Sequence, residues 1–111
     1  MKNNFKEIEV RIDSSGVCEI TLNRPDKHNA MNRNMIDELE EAGQYLTTHK
    51  SARLVFLQAN GKTFCAGGDL NWMKDQEKKT KEGKLVEARA LAKMLATMNA
   101  LPIPLVSIIY G

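Results

Sequence analysis

The segment formed by residues 63–70 contains the residue types whose spacing could support chemistry. Gly67 and Gly68 are adjacent, so the backbone there can adopt a positive φ or approach a ligand closely. Asp69 follows them and can cap a helix that begins at the next residue. Such a turn directs backbone N–H groups toward one point, where they can hold an anion, a phosphate or a developing oxyanion. A plain connection between a strand and a helix has the same composition, so the turn alone leaves both interpretations open.

A polar loop at residues 23–31 carries two further groups that could contact a ligand. Pro25 fixes φ and removes a backbone donor, which ends the preceding strand. Lys27 could act as a point charge for a phosphate, and His28 follows it, although both could equally be solvated loop residues. Cys65 lies within residues 63–70 without a neighbouring histidine, so the motif does not predict covalent catalysis. Cys18 and Cys65 also lack metal-ligand spacing, and no metal site is predicted.

Apolar periodicity predicts the elements that position these groups. Residues 7–13 and 17–23 alternate between apolar and polar side chains across a turn, which predicts an antiparallel hairpin at one edge of a larger sheet. Cys18 falls on the buried face of that hairpin. Asn32 is the expected N-cap of an amphipathic helix that runs to about His49. Residues 53–59 hold four consecutive apolar side chains and residues 105–110 are apolar except for Ser107, which is typical of parallel strands covered on both faces.

The remaining segments predict a solvated stretch followed by a second amphipathic helix. Residues 74–84 contain five lysines and three acidic residues, which predicts a mobile segment. Residues 85–101 have helical spacing. The expected buried stripe of that helix consists of Leu85, Ala88, Ala92, Leu95 and Met98, widened by Leu91, Met94 and Ala96. Pro102 and Pro104 end it, and the order of strands and helices predicts an α/β fold.

Length and composition limit the possible functions. With 111 residues the chain forms one domain at most, and its formal net charge of +2 does not favour a dedicated nucleic-acid or membrane binder. The N-terminal residues lack the apolar stretch of a secretory signal, so we expect an intracellular, cytoplasmic protein. A domain rarely ends directly after a central strand, so we also expect residues 1–111 to be the N-terminal portion of a longer domain.

Four blocks of the sequence resemble the crotonase (enoyl-CoA hydratase/isomerase) family and follow that family's order. They are residues 20–25 (ITLNRP), 29–32 (NAMN), 64–70 (FCAGGDL) and 102–111 (PIPLVSIIYG). Residues 71–74 (NWMK) and 87–92 (EARALA) look most like the methylglutaconyl-CoA hydratase branch, which belongs to leucine degradation. The resemblance implies the N-terminal part of a crotonase-like (ClpP/crotonase) ββα superhelix.

The same resemblance implies an acyl-CoA thioester as the substrate, with coenzyme A as part of the substrate and no separate cofactor. The catalytic group present would be the backbone N–H of Gly68, one of two donors to the thioester oxygen, at a position where the family usually has Ala. The implied substrate-binding residues are Lys27, His28, Ala30, Ala66, Gly67, Gly68, Asp69, Leu70 and Trp72. The family's second donor and its two acid–base glutamates have no counterpart here, so we expect these 111 residues alone to be inactive.

Several alternatives stay open at this point. Another crotonase reaction, such as enoyl-CoA isomerisation or acyl-CoA thioester hydrolysis, would use the same turn at residues 63–70, here called the oxyanion turn. A non-catalytic CoA-binding or self-associating fragment is a second alternative, and RNA binding through residues 74–84 is a third. Family members usually form trimers or hexamers, so the resemblance also implies a homo-oligomer.

Overall fold

The computed structural model describes residues 5–111, which form a four-stranded sheet covered by helices. In chain order the elements are β1 (Ile8–Ile12), β2 (Val17–Leu22), a 3-10 turn (Pro25–Lys27), α1 (Arg33–Thr48), β3 (Leu54–Ala59), α2 (Leu70–Glu77), α3 (Lys81–Asn99) and β4 (Leu105–Ser107). The strand order is β1-β2-β3-β4; β1 and β2 are antiparallel, whereas β3 is parallel to both β2 and β4. The predicted α/β class and the hairpin at the sheet edge are therefore confirmed. The prediction about a targeting signal concerns the chain start, and residues 1–4 lie outside the described residues.

The core lies where the hairpin meets β3 and α1. Cys18 of β2 pairs in register with Val55 of β3, and both side chains are fully buried. Burial raises the pKa of the Cys18 thiol to about 11, which agrees with its predicted place in the core. On α1, the Asn32 side chain accepts a 2.8 Å hydrogen bond from the Met35 N–H, as an N-cap does. The buried face of α1 then packs against the sheet.

The prediction of a mobile, solvated segment at residues 74–84 is wrong about its backbone. Helix α2 continues to Glu77, and α3 already begins at Lys81 rather than at Leu85. Thr80 caps α3 because its hydroxyl oxygen accepts a 3.1 Å hydrogen bond from the Gly83 N–H. Lysine, glutamate and glutamine have good helix propensity, so a cap is enough to order this segment although most of its side chains are exposed.

The predicted buried stripe of α3 is right at Leu91, Met94 and Met98 and wrong at its other positions. Leu85 and Leu95 are 43% and 53% exposed, and Ala88 and Ala92 are exposed as well. The packed face instead contains the buried residues Glu87 and Met94 and the half-buried residues Ala90, Leu91 and Met98. Both sets of residues have helical spacing, and the packing of α3 against α1 selects the face that contains an acidic residue.

The last strand differs from its prediction in length and burial. β4 ends at Ser107, and Val106 and Ile109 are 44% and 73% exposed. Because β4 is the outer strand of the described sheet, only β3 pairs with it. In β3 itself only Val55 is fully buried, so the expected cover on both faces is incomplete. In the described part of the chain, no helix is long and apolar enough to cross a membrane.

Candidate functional site

A cleft of about 530 Å³ lies between the 3-10 turn and the start of α2. Most of the residues that the sequence singled out line it, namely Lys27, His28, Ala30, Ala66, Gly68, Asp69 and Leu70. Asp26, Asn71 and Lys74 complete the wall. Gly67 and Trp72 are not among the lining residues. Two loops that are distant in sequence therefore form one concave surface.

Backbone hydrogen bonds join these two loops side by side. The Ala66 N–H donates to the His28 carbonyl over 3.0 Å, and the Met31 N–H donates to the Gly67 carbonyl over 2.7 Å. The Asp69 N–H returns a 2.8 Å bond to the Met31 carbonyl, which completes a parallel bridge between Met31 and Gly68. The relative position of the cleft walls is thus fixed by main-chain contacts.

The bridge leaves the N–H of Gly68 free. Successive N–H groups of an extended chain point to opposite sides, and the Asp69 N–H points at Met31, so the Gly68 N–H points away from that segment. Within residues 5–111 no protein group accepts a hydrogen bond from it. Gly67, at φ +97°, supplies the left-handed turn that brings Gly68 into this position. A donor at the cleft surface is therefore available to a ligand or to water.

Asn29 supports the cleft from behind, a role that was not predicted from the sequence. The side chain is fully buried. Its amide oxygen accepts a 2.7 Å bond from the Arg24 N–H, and its NH₂ group donates 2.8 Å bonds to the carbonyls of Asn60 and Thr63. His28 and Asn29 have φ values of 52° and 56°, a left-handed conformation that Asn tolerates better than most residues. The sequence signals for Asn29 are that tolerance, beside a proline-containing loop, and its place in the block formed by residues 29–32.

Arg24 links the loop electrostatically to the start of α2. Its guanidinium Nη1 donates to the Ala30 carbonyl over 2.7 Å and to Asp69 Oδ2 over 3.1 Å. Its Nε lies 2.8 Å from a Glu7 carboxylate oxygen outside hydrogen-bond alignment, so that contact is an ion pair. Asp69 Oδ1 accepts the Trp72 N–H over 2.9 Å, which confirms Asp69 as the helix cap. The pKa of Asp69 is lowered, chiefly by that N–H and then by Arg24.

Trp72 lies on the other side of α2's first turn, where it lines a second cleft of about 350 Å³. Its indole N–H donates a 2.9 Å hydrogen bond to Glu87 Oε1, and the other oxygen of Glu87 accepts a bond from Arg33 Nη1. Glu87 belongs to the block formed by residues 87–92, and the sequence alone predicted no role for it. Its seven-residue spacing from Met94, on the packed face of α3, was the available signal.

Charged side chains flank the cleft without forming a metal site. Lys27 comes from the 3-10 turn and Lys74 from α2, so two cations face the cleft from different elements. His28 Nδ1 is 3.0 Å from the Thr63 hydroxyl, which orients the imidazole. Among the described residues no group of three or more His, Cys, Asp or Glu side chains could hold a metal ion. The arrangement suits an anionic or carbonyl-bearing ligand.

Comparison with known proteins identifies the family of this chain. Residues 13–111 match the family model described as enoyl-CoA hydratase/isomerase. The chain belongs to the enoyl-CoA hydratase/isomerase family. The crystal structure of an enoyl-CoA hydratase from Shewanella pealeana superimposes with a TM-score of 0.93 at 32% identity, covering 98% of this chain and 41% of that one. The crotonase-like fold expected from the sequence is thereby confirmed.

Relatives of this chain include isomerases as well as hydratases. The enoyl-CoA isomerase/hydratase fer4 of Mycosarcoma maydis is 28% identical over 116 residues, covering 96% of this chain and 41% of that protein. The mitochondrial delta(3,5)-delta(2,4)-dienoyl-CoA isomerase of Mus musculus is 38% identical over 68 residues, covering 61% of this chain and 21% of that protein. The chain thus spans less than half the length of these relatives. The finer assignment to the methylglutaconyl-CoA hydratase branch stays a prediction.

Proposed function

We propose that this chain is the acyl-CoA-binding part of an enoyl-CoA hydratase, an enzyme that adds water to an α,β-unsaturated acyl-CoA. The observation that carries the proposal is the free N–H of Gly68 at the wall of the cleft. Hydration places negative charge on the thioester oxygen in the transition state. A fixed donor that meets this oxygen therefore stabilises the transition state more than the substrate.

The magnitude expected of one such donor is large. Removing a single oxyanion donor typically slows an enzyme by about 10²–10³, equivalent to about 2.7–4 kcal/mol. Gly68 donates through its backbone, so the glycine found where the family usually has Ala leaves the donor in place. An oxyanion donor must have a fixed orientation. The hydrogen bonds that join Gly67 and Asp69, the two neighbours of Gly68, to Met31 support such an orientation for the Gly68 N–H.

The rest of the cleft supports binding of the coenzyme A portion. Lys27 and Lys74 supply positive charge for phosphate groups, with His28 beside Lys27. Ala30, Ala66 and Leu70 supply apolar contacts for the pantetheine chain. Coenzyme A enters as part of the substrate, and the proposal needs no further cofactor. For the acyl group we propose methylglutaconyl, on the resemblance of residues 71–74 and 87–92 to that branch.

We further propose that the 111 residues alone do not turn over substrate. A single donor without a second amide or acid–base carboxylates in matching context can polarise a thioester but cannot deliver water and its proton. A homo-oligomer and a cytoplasmic location are the remaining expectations from the sequence. Size-exclusion chromatography with light scattering tests the first, and imaging of the tagged protein in cells tests the second.

Binding and turnover test the proposal separately. Calorimetry should detect CoA and, more tightly, acetoacetyl-CoA, whose enolate carries negative charge on the thioester oxygen. Lys27→Ala should weaken both ligands, whereas Lys50→Ala, at an exposed lysine outside the cleft, should weaken neither. Absence of binding to both ligands would contradict the proposed function. Loss of the crotonyl-CoA absorbance in the presence of this chain would contradict its proposed inactivity.

Double-bond isomerisation is the second candidate, because an isomerase relative is similar over much of the same segment. Isomerisation also passes through an enolate, so the Gly68 donor would serve it equally. Assays of the chain joined to the remainder of a family domain, with a 2-enoyl-CoA and a 3-enoyl-CoA, distinguish the two reactions. Consumption of the 3-enoyl substrate without hydration would favour the isomerase.

A further inference from the structure

Helix α2 follows the oxyanion donor directly and is weakly anchored by apolar packing. It begins two residues after Gly68, and none of its residues is fully buried. Leu70 and Met73 are 70% and 48% exposed. Because little apolar surface holds α2 in place, a few specific contacts must determine where its first turn lies.

Glu87 makes one of these contacts from the interior. Its side chain is only 9% exposed, and Oε1 accepts the indole N–H of Trp72 over 2.9 Å. Oε2 accepts a bond from Arg33 at the start of α1, and Arg33 Nε also donates to Asp37 over 2.9 Å. Glu87 of α3 therefore joins all three helices through one carboxylate. A buried carboxylate is tolerated because both of its oxygens are paired.

Trp72 connects Glu87 to the oxyanion turn. A Cβ built on Gly68 would lie 3.6 Å from Cζ3 of the indole and 3.0 Å from the Met73 sulfur. One edge of the indole thus faces Gly68 across the space that a Cβ would occupy, while its N–H is held by Glu87. The Trp72 backbone N–H also donates to Asp69, the residue after Gly68. Rotation of the indole would change the surface that Gly68 faces.

We propose that Glu87 is a positioning residue for the oxyanion donor. It holds the Trp72 indole in one orientation, and the indole holds the Gly68 backbone so that its N–H meets the thioester oxygen. This inference rests on the proposed function of Gly68. Glu87 itself does not touch the substrate, so its effect should fall on recognition of the charged oxygen and not on the affinity for CoA.

Variants at Glu87 separate these two affinities. Glu87→Met removes the acceptor but keeps an apolar chain of similar length, whereas Glu87→Gln retains a carbonyl oxygen for the indole N–H. Glu82→Met is the matched control at an exposed position of the same helix. Calorimetry of Glu87→Met should show at least a tenfold loss of affinity for acetoacetyl-CoA and less than a twofold change in affinity for CoA. Glu87→Gln and Glu82→Met should stay within twofold for both.

Fluorescence gives an independent readout, because Trp72 is the only tryptophan of the chain. Its emission should shift in Glu87→Met and stay unchanged in Glu87→Gln. If Glu87→Met does not fold, Trp72→Phe removes the donor of the same hydrogen bond. This variant should lose at least threefold in affinity for acetoacetyl-CoA and keep its affinity for CoA. The inference would be overturned if a folded variant lost affinity equally for both ligands, or if its preference for acetoacetyl-CoA were unchanged. A wild-type chain that binds CoA and acetoacetyl-CoA equally would overturn the proposed function together with it.

Discussion

Replacing Asn29 with alanine should unfold the loops that form the cleft. The Asn29 side chain is fully buried and makes three hydrogen bonds, one to Arg24 in its own loop and two to Asn60 and Thr63 in the loop after β3. The bonds to Asn60 and Thr63 join residues that are 31 and 34 positions apart in the chain. Local structure cannot replace them once the side chain is removed.

The magnitude follows from the groups that lose their partners. Each lost hydrogen bond costs about 0.5–1.5 kcal/mol net, and more where a buried partner is left unsatisfied. Alanine at φ 56° adds about 1–2 kcal/mol of backbone strain. We therefore expect Asn29→Ala to lower the free energy of unfolding by about 3–5 kcal/mol, a large share of the roughly 5–15 kcal/mol of an ordinary domain.

Urea unfolding followed by circular dichroism measures this loss. Asn29→Gly removes the same side chain without the left-handed strain, so it should be about 1 kcal/mol less destabilising than Asn29→Ala. Asn23→Ala is the matched control, because Asn23 contacts the same Asn60 through an exposed 3.0 Å hydrogen bond. We expect it to cost less than about 0.5 kcal/mol. If Asn29→Ala and Asn23→Ala were equally mild, the buried amide would not be what holds the two loops together.

Three further predictions concern the turn and α3. Gly67→Ala places a Cβ in open space at φ +97°, so backbone strain alone should cost about 1–2 kcal/mol in urea unfolding and weaken acetoacetyl-CoA binding. In Gly68→Ala the new Cβ would lie 3.0 Å from the sulfur of the flexible Met73 side chain and 3.6 Å from the Trp72 ring, an ordinary contact, so this change should stay within about 1 kcal/mol; the reverse ranking would contradict the turn geometry. The lowered pKa of Asp69 stabilises the fold above the unfolded-state pKa of about 4, and this stability is lost as the pH falls through the folded-state pKa. Urea midpoints at about pH 6 and about pH 3 should therefore differ less in Asp69→Asn, which keeps a cap, than in the wild type; an identical pH dependence would refute this. Met94→Ala should cost about 2–5 kcal/mol and Leu95→Ala less than about 0.5 kcal/mol, because these residues are 3% and 53% exposed, and equal costs would mean that α3 packs by its other face.

The sequence predicted those features that depend on neighbouring residues. Alternation placed the hairpin, and local capping rules identified Asn32 and Asp69, because an N-cap bonds to a backbone group only three residues away. The family blocks added Ala30, Ala66 and Leu70 to the cleft residues, whereas Lys27 and His28 came from the composition of the polar loop. Lys27 and Gly68 belong to different loops, and only the bridge between those loops brings both to the same cleft.

Features that depend on distant partners escaped prediction. Helix α3 offers two faces with helical spacing, and the one that packs includes Glu87 because Trp72 and Arg33 satisfy its carboxylate. A hydrophobicity rule rejects a face that contains an acid, since it does not include those partners. Asn29 was missed for the same reason, because its hydrogen bonds reach Asn60 and Thr63 across the fold.

A half-buried donor such as the Gly68 N–H should contribute little to the affinity for an uncharged thioester. Water can satisfy the free N–H before the ligand arrives, so exchanging that water for a neutral carbonyl oxygen changes the free energy only slightly. The balance shifts once the oxygen carries negative charge, because charge-assisted hydrogen bonds are roughly twice as strong as neutral ones. The donor should consequently be visible as a preference for acetoacetyl-CoA over crotonyl-CoA, and not as tight binding of crotonyl-CoA. Equal affinities for these two ligands would mean that the Gly68 N–H does not reach the thioester oxygen.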